Sequence, residues 1–224
     1  MELGKFIVFE GIDGSGTSTQ AELLAKWIRS QGLKVLLTNE PSSGQIGQLI
    51  RKLLANQSSE VENDLLDYSL ALLFAADRLD HIYREILPKL RKGYIIISDR
   101  YSLSSLAYQT LKCEWKWVEK INKEAIPADL IILLDLDAEK AIARIIKRNN
   151  KIELFMKEQE IYEKIEIQKK VRQLYLEAVK KLSEKNEIIV LDGSKNINQI
   201  HKEVIQIVKP YIPAQRYLNF EEND

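Results

Sequence analysis

The chain has 224 residues, of which 45% are hydrophobic and 29% are charged, a composition typical of a soluble globular protein. Basic and acidic side chains both number 33, so the net charge of zero excludes general nucleic-acid binding through an overall positive surface. The single cysteine, Cys113, excludes an intramolecular disulfide, and no apolar run reaches the roughly 18–20 residues of a membrane span. We therefore expect a cytoplasmic protein that does not insert into membranes.

Short β-branched runs alternate with long helical patterns along the chain, which predicts βα units around a parallel sheet. The predicted strands cover residues 6–10, 34–38, 94–98, 130–135 and 187–191. Several are continuously apolar, as strands covered on both faces are. We expect a three-layer α/β fold that forms one domain over residues 1–224, with a loose tail over about 211–224.

A glycine-rich segment lies between the first predicted strand and the first predicted helix. It consists of Gly11, Ile12, Asp13, Gly14, Ser15, Gly16, Thr17, Ser18 and Thr19. Glycines let the backbone curl so that successive N–H groups point inward, and the helix that follows presents its positive end to an anion. In this context the spacing predicts a phosphate loop that binds ATP, with Ser18 reaching Mg²⁺, rather than an ordinary strand–helix turn.

The phosphate loop departs from its pattern at one position, because Thr17 stands where a lysine is expected before Ser18. A lysine there bridges the β- and γ-phosphates, whereas threonine supplies a hydrogen bond and no charge. Losing that cation can cost several kcal/mol of transition-state stabilisation unless another cation substitutes. Two interpretations stay open: a compensated enzyme, and a nucleotide-binding homologue with weak activity.

Two further pairs of residues favour ligand binding. Asp99 and Arg100 follow the third predicted strand, and the carboxyl ends of parallel strands are where α/β sheets bind ligands. There Asp99 can approach a Mg²⁺ shell and Arg100 can hold a phosphate, although a helix-capping aspartate beside a surface arginine is the alternative. Phe74 and Arg78 lie four residues apart on one helix face, so they can stack on a base and bond its edge. Taken alone, such a pair is more often an aromatic residue of the core beside an arginine of the surface.

Four segments together resemble thymidylate kinases in order and spacing: residues 9–16, 40–41, 73–78, and 99–101 with 107–109. The resemblance covers about residues 5–209 and implies the P-loop nucleoside-monophosphate kinase fold, with a five-stranded parallel sheet. It also implies a homodimer that uses Mg²⁺ to transfer the γ-phosphoryl group of ATP to dTMP in dTTP synthesis. A kinase for another acceptor, such as dUMP, dGMP or a deoxynucleoside, is the alternative.

The resemblance also assigns roles in the acceptor site. Phe74 is expected to stack on thymine and Arg78 to contact the base edge, while Gln109 reads the pyrimidine. Arg100 is expected to hold the dTMP phosphate, with Arg51 as a second phosphate-facing arginine. The other expected members are Glu40, Tyr101, which crowds the 2′ position, and Asp13, which approaches the sugar and phosphate of dTMP.

A basic stripe follows the fourth predicted strand. The residues that recur on this one helix face are Lys140, Arg144, Lys147, Arg148 and Lys151. A solvated helix face is the simpler interpretation, but the stripe lies where thymidylate kinases place their lid. We therefore expect a lid over about 144–157, in which Arg148, with Arg144 or Lys151, covers part of the role that Thr17 cannot fill. The predicted catalytic residues are Asp13, Arg100, Arg144 and Arg148.

Overall fold

A computed structural model describes residues 4–55, 64–148, 158–184 and 186–212. Its strands are β1 (Phe6–Gly11), β2 (Val35–Asn39), β3 (Ile95–Asp99), β4 (Leu130–Asp135) and β5 (Ile188–Asp192). They form one parallel sheet in the order β2-β3-β1-β4-β5. The predicted five-stranded parallel sheet is confirmed, and each strand end lies within one residue of its predicted position.

The sheet is flanked by helices on both faces. These are α1 (Thr17–Ser30), α2 (Gln45–Ala55), α3 (Asp64–His81), α4 (Leu87–Leu90), α5 (Ser102–Tyr108), α6 (Trp115–Ile121), α7 (Ala138–Arg148), α8 (Glu158–Leu182) and α9 (Ile197–Val208). A π-helical turn, Ile82–Ile86, joins α3 to α4, and 3₁₀ turns lie at Gln109–Leu111 and Lys209–Tyr211. Throughout the described ranges, each helix is too short or too polar to cross a membrane.

Two apolar clusters fill the spaces between sheet and helices, because successive residues of a strand point to opposite faces. In β1, Ile7 and Phe9 pack with α1 and α9 in one cluster. Phe6 and Val8 pack with α5, α6 and α8 in the other. All four side chains are at most 1% exposed. The three-layer fold is thus confirmed, and it leaves the carboxyl ends of the strands free to build a site.

The register of the sheet brings two polar loops together at those carboxyl ends. Phe9 of β1 pairs with Asp99 of β3, so the glycine loop after β1 lies beside the turn at Arg100. Arg100 has a positive φ of 74°, a strained conformation for a side chain of this size. Its amide donates to the Phe9 carbonyl over 2.8 Å, which ties this turn to β1.

Candidate active site

The glycine loop forms one wall of a cavity of about 950 Å³. Gly14 and Gly16 have φ values of 84° and 105°, which only glycine adopts without strain. A Cβ at Gly14 would come within 2.4 Å of the Ala141 carbonyl, so α7 packs directly on the loop. The predicted loop residues that line the cavity are Asp13, Gly14, Ser15, Gly16, Thr17, Ser18 and Thr19. Gly11 ends β1, and Ile12 is buried in the core behind the wall.

Cationic side chains line the same cavity. Among the described residues these are Arg100, Arg144, Arg148 and Lys195. Arg144 of α7 donates from Nη1 to the Ser15 carbonyl over 3.3 Å, so its guanidinium lies against the loop. Arg148 is exposed at the end of α7, whereas Thr17 is 6% exposed at the start of α1. Lys151 and the rest of the expected lid, 149–157, lie outside the described residues, as does the tail from 213.

Ser18 and Asp99 meet at the start of α1. The Ser18 hydroxyl donates to Oδ2 of Asp99, and Oδ1 of Asp99 is buried without a hydrogen-bond partner among the described residues. A hydroxyl beside a carboxylate with a spare oxygen fits Mg²⁺, which takes one or two carboxylates and completes its shell with phosphates and water. The described ranges contain no group of three or more His, Cys, Asp or Glu that could hold a metal. Water and the phosphates of a bound nucleotide would complete the shell of a Mg²⁺ ion held by Ser18 and Asp99.

The Arg100 guanidinium is held on two edges. Nη2 donates to Oδ1 of Asp13 over 2.6 Å and to the Tyr108 hydroxyl over 3.3 Å. Nη1 donates to the hydroxyls of Ser104, over 3.2 Å, and Tyr175, over 3.1 Å. On the Nη2 edge the Asp13 side chain is 52% exposed, whereas on the Nη1 edge Tyr175 is 1% exposed. An incoming anion can thus replace Asp13 on one edge while the other edge keeps its protein partners.

A second cavity of about 600 Å³ shares Asp13 and Arg100 with the first. The predicted acceptor residues that line it are Glu40, Phe74, Arg78, Arg100, Tyr101 and Gln109. Phe74 is half-buried on α3, and Oε1 of Gln109 is buried without a described hydrogen-bond partner. Arg51 is not among the lining residues, because its guanidinium donates to the carbonyls of Ser42, over 2.7 Å, and Pro41, over 2.5 Å.

Arg78 is 1% exposed, and each of its three nitrogens donates to a protein acceptor. Nε donates to Oε2 of Glu40 over 2.8 Å, and Nη2 lies 2.7 Å from the same oxygen in an ion pair. Nη1 donates to Ser105 and Asn122, and Nη2 donates to the Tyr101 carbonyl. Four of the five N–H donors of an arginine thus form hydrogen bonds within the protein, and the ion pair with Glu40 holds Nη2 as well. In this conformation the arginine forms the floor of the acceptor cavity.

Tyr101 likewise points into the core. It is 1% exposed, its ring packs edge-on against Phe6 with centroids 4.9 Å apart, and its hydroxyl donates to the Ile126 carbonyl. Tyr108, the last residue of α5, donates from its hydroxyl to Oδ1 of Asp13 over 3.1 Å. The tyrosine hydroxyl beside Asp13 and Arg100 is therefore that of Tyr108.

Comparisons with known proteins agree with this geometry. A family model described as thymidylate kinase matches residues 9–204. The chain belongs to the thymidylate kinase family. A probable thymidylate kinase of Pyrococcus abyssi is 42% identical over 92% of this chain and 96% of its own length. Similar proteins of Thermococcus gammatolerans and Methanococcus maripaludis (strain C6) are 40% and 39% identical, each over 94% of this chain and 98% of its own length.

Sequence reasoning missed several residues of this thymidylate kinase site. Gln168 and Tyr175 of α8 were not among the predicted site residues, yet Gln168 donates to Oδ2 of Asp13 over 3.1 Å and Tyr175 contacts Arg100. His81 was not among them either, but it is 3% exposed and its Nδ1 lies 3.3 Å from Oε1 of Glu40. The signal available for α8 was a glutamine and a tyrosine on the apolar face of a charge-rich helix.

Glu10 was also missed, although a carboxylate inside an apolar strand was a visible signal. Its side chain is fully buried, and burial raises the pKa of Glu10 to about 7. Hydrogen bonds from Ser104 and Tyr175 and the charge of Arg100 act in the opposite direction and lower this pKa. The carboxylate is thus retained in the core because its neighbours satisfy its oxygen atoms.

Proposed function

We propose that this member of the thymidylate kinase family transfers the γ-phosphoryl group of ATP to dTMP, giving dTDP and ADP. The observation that carries the proposal is that Asp13 and Arg100 line both cavities. A triphosphate bound along the glycine loop and a monophosphate in the second cavity would meet at these two residues. Phosphoryl transfer depends on such positioning and on charge neutralisation, and it needs no covalent enzyme intermediate.

On the donor side, the loop amides and the N-terminus of α1 bind the phosphates of ATP in this proposal. Ser18 and Asp99 hold Mg²⁺, which neutralises phosphate charge when bound. Arg144 and Arg148 supply the positive charge that Thr17 lacks, since both line the cavity and Arg144 already contacts the loop. Residues 144–157 act as the lid of a single domain that spans the chain.

On the acceptor side, Phe74 stacks on the thymine and Gln109 offers its buried, unpartnered oxygen to the base. Arg100 exchanges Asp13 for the dTMP phosphate, which leaves the Asp13 carboxylate free to meet the sugar. The other proposed members support this surface: Glu40 holds Arg78, Tyr101 packs against Phe6 of β1, and Arg51 donates to the Pro41 carbonyl. Arg78 reaches the base edge only if it gives up one of its protein acceptors.

A coupled assay of ADP release tests the function. We expect turnover with Mg²⁺, ATP and dTMP to exceed turnover with dUMP, dGMP and thymidine in the same panel. Thr17→Lys separates the two interpretations of the loop. If cavity arginines compensate, the substitution changes turnover less than threefold, whereas a rise of a hundredfold or more identifies an impaired enzyme. If another acceptor in the panel gives the higher turnover, that compound and not dTMP is the substrate.

We also propose a homodimer that buries the outer face of α3 and the following π-helical turn. Leu72, Leu79 and Tyr83 are 50%, 41% and 78% exposed, and their spacing of seven and four residues is near one helical face. Light scattering should give twice the mass of the 25.9 kDa chain, and the double substitution Leu79→Glu with Tyr83→Lys should reduce the measured mass to that of a single chain.

The proposed reaction uses ATP and dTMP, so we place the enzyme in the cytoplasm.

A further inference from the structure

The buried carboxylate of Glu10 lies behind the Arg100 guanidinium and does not reach either cavity. Oε1 accepts the backbone amides of Tyr101, over 2.9 Å, and Ser104, over 3.2 Å, at the start of α5. Oε2 accepts the hydroxyls of Ser104, over 2.5 Å, and Tyr175, over 3.0 Å. Four donors from three residues, at the start of α5 and on α8, therefore converge on one carboxylate.

The two hydroxyls connect Glu10 to Arg100. The oxygens of Ser104 and Tyr175 each accept a hydrogen bond from Nη1 of Arg100, over 3.2 and 3.1 Å. A hydroxyl has a single proton, so it can accept from Arg100 only while its own proton points elsewhere. Ser104 and Tyr175 both lie within donating distance of Oε2 of Glu10, and they also lie 2.8 Å from each other, where either hydroxyl could be the donor. The negative charge of the ionised carboxylate favours the arrangement in which both protons point at Oε2.

We propose that Glu10 is a positioning residue for the acceptor phosphate: by orienting the Ser104 and Tyr175 hydroxyls it holds one edge of Arg100, so that the other edge faces the phosphate. The inference rests on the proposed function in one respect, since it takes Arg100 to bind the phosphate of dTMP. The backbone of Arg100, just after β3, is strained at a φ of 74°, so contacts of the surrounding structure hold this residue in place.

Glu10→Gln tests this relay with little change of shape. An amide NH₂ in place of either carboxylate oxygen faces donors, namely the two hydroxyls on one side or the backbone amides of Tyr101 and Ser104 on the other. The hydroxyl protons thereby lose the charge that directs them away from Nη1 of Arg100, and the guanidinium is held less firmly on that edge. Asp77→Asn is the matched control, because Asp77 is a buried carboxylate that binds Ser42 and has no contact with Arg100.

Calorimetric binding of dTMP and of thymidine at about pH 8, where Glu10 is ionised, gives the decisive comparison, because thymidine lacks the phosphate. We expect Glu10→Gln to weaken dTMP binding at least tenfold and to change thymidine binding less than twofold. Asp77→Asn should change the two affinities equally, whatever its cost in thermal stability. Equal weakening of dTMP and thymidine in Glu10→Gln would overturn the proposal, because it would show a general loss of packing.

A double-mutant cycle with Arg100→Lys then identifies the path of the effect. If Glu10 acts through Arg100, Glu10→Gln weakens dTMP less than twofold when Arg100 is already lysine. A full tenfold loss in that background would show that Glu10 acts by another route and overturn the proposal. Wild-type protein that binds dTMP no more tightly than thymidine would instead refute the phosphate role of Arg100, and with it the acceptor site proposed above.

Discussion

Arg78 and Glu40 form an ion pair in which Nη2 and Oε2 are 2.7 Å apart and both side chains are at most 3% exposed. The pair connects α3 to the loop after β2 and closes the floor of the acceptor cavity. His81 lies about one turn after Arg78 on α3, and its Nδ1 contacts Oε1, the other oxygen of Glu40. The charges of Arg78 and Glu40 therefore serve to hold the acceptor site together.

Glu40→Gln should accordingly destabilise the fold. The substitution leaves the Arg78 guanidinium buried without its counter-charge, and breaking such a pair costs about 3–5 kcal/mol. Denaturant unfolding measures this loss. Glu203→Gln is the control, because the pair between Glu203 and Lys195 is more than a third exposed and should contribute under about 1 kcal/mol. Similar losses in the two variants would contradict the structural role of the buried pair.

Arg148→Ala should lower kcat at least tenfold and change the KM for dTMP less than threefold, since the side chain lines only the triphosphate cavity. Lys147→Ala is the control: Lys147 is the adjacent exposed cation and is not among the cavity residues. Thr17→Lys should restore part of the lost turnover in the Arg148→Ala background. Steady-state kinetics of the four proteins decide, and equal effects of the two alanine substitutions would refute a specific role.

Asp99→Asn should raise the Mg²⁺ concentration needed for half-maximal activity about tenfold or more. The amide keeps the shape of the side chain but loses the charge that attracts the ion, and the contact with Ser18 becomes weaker. A titration of activity against Mg²⁺ at saturating ATP measures the shift. Asp80→Asn, at a carboxylate paired with Arg84 outside both cavities, should leave the curve in place.

Gln109→Leu should affect stability and substrate binding in opposite directions. Oε1 of Gln109 is buried without a described partner, so replacing it by an apolar group removes a desolvation cost of about 1 kcal/mol. The same change removes the proposed contact to the base and should raise the KM for dTMP about tenfold. Thermal unfolding without ligand and kinetics with dTMP test the two parts, and a less stable variant would contradict the unsatisfied state of this side chain.

The titration of Glu10 predicts how stability changes with pH. Burial raises the pKa of Glu10 in the folded protein from 4.5 to about 7, and the facing groups are Arg100 after β3, Tyr175 on α8 and Ser104 on α5. The folded state keeps a proton that the unfolded state loses above pH 4.5. This contribution to stability is therefore full below about pH 4.5 and is lost as the pH rises through about 7.

Glu10→Gln cannot titrate, so it isolates this contribution. The free energy of unfolding of wild-type protein minus that of Glu10→Gln should fall by roughly 1–3 kcal/mol between pH 4.5 and 8. Chemical denaturation at each pH gives the difference. A constant difference across this range would show that the pKa of Glu10 is not raised in the folded protein.

The strands and the phosphate loop could be predicted from the sequence because their signals are local. Continuous β-branched runs placed each strand end within one residue, and the glycines between β1 and α1 marked the loop. Phe74 and Gln109, which the resemblance assigned to the acceptor site, line the second cavity, and their contacts with dTMP stay a prediction. The spacing of Phe74 and Arg78 does not show which N–H donors of Arg78 already bond protein acceptors, so these bonds could not be predicted from the sequence.

What the sequence by itself determined is the order of the elements, the parallel sheet and the place of the loop along the chain, because each depends on residues close together in sequence. Only the tertiary structure decided what surrounds Arg100. Tyr175 and Gln168 come from α8, more than 150 residues after Glu10 and Asp13, and they reach them because α8 packs on the sheet. Such contacts depend on how distant helices pack, which local patterns of hydrophobicity do not specify.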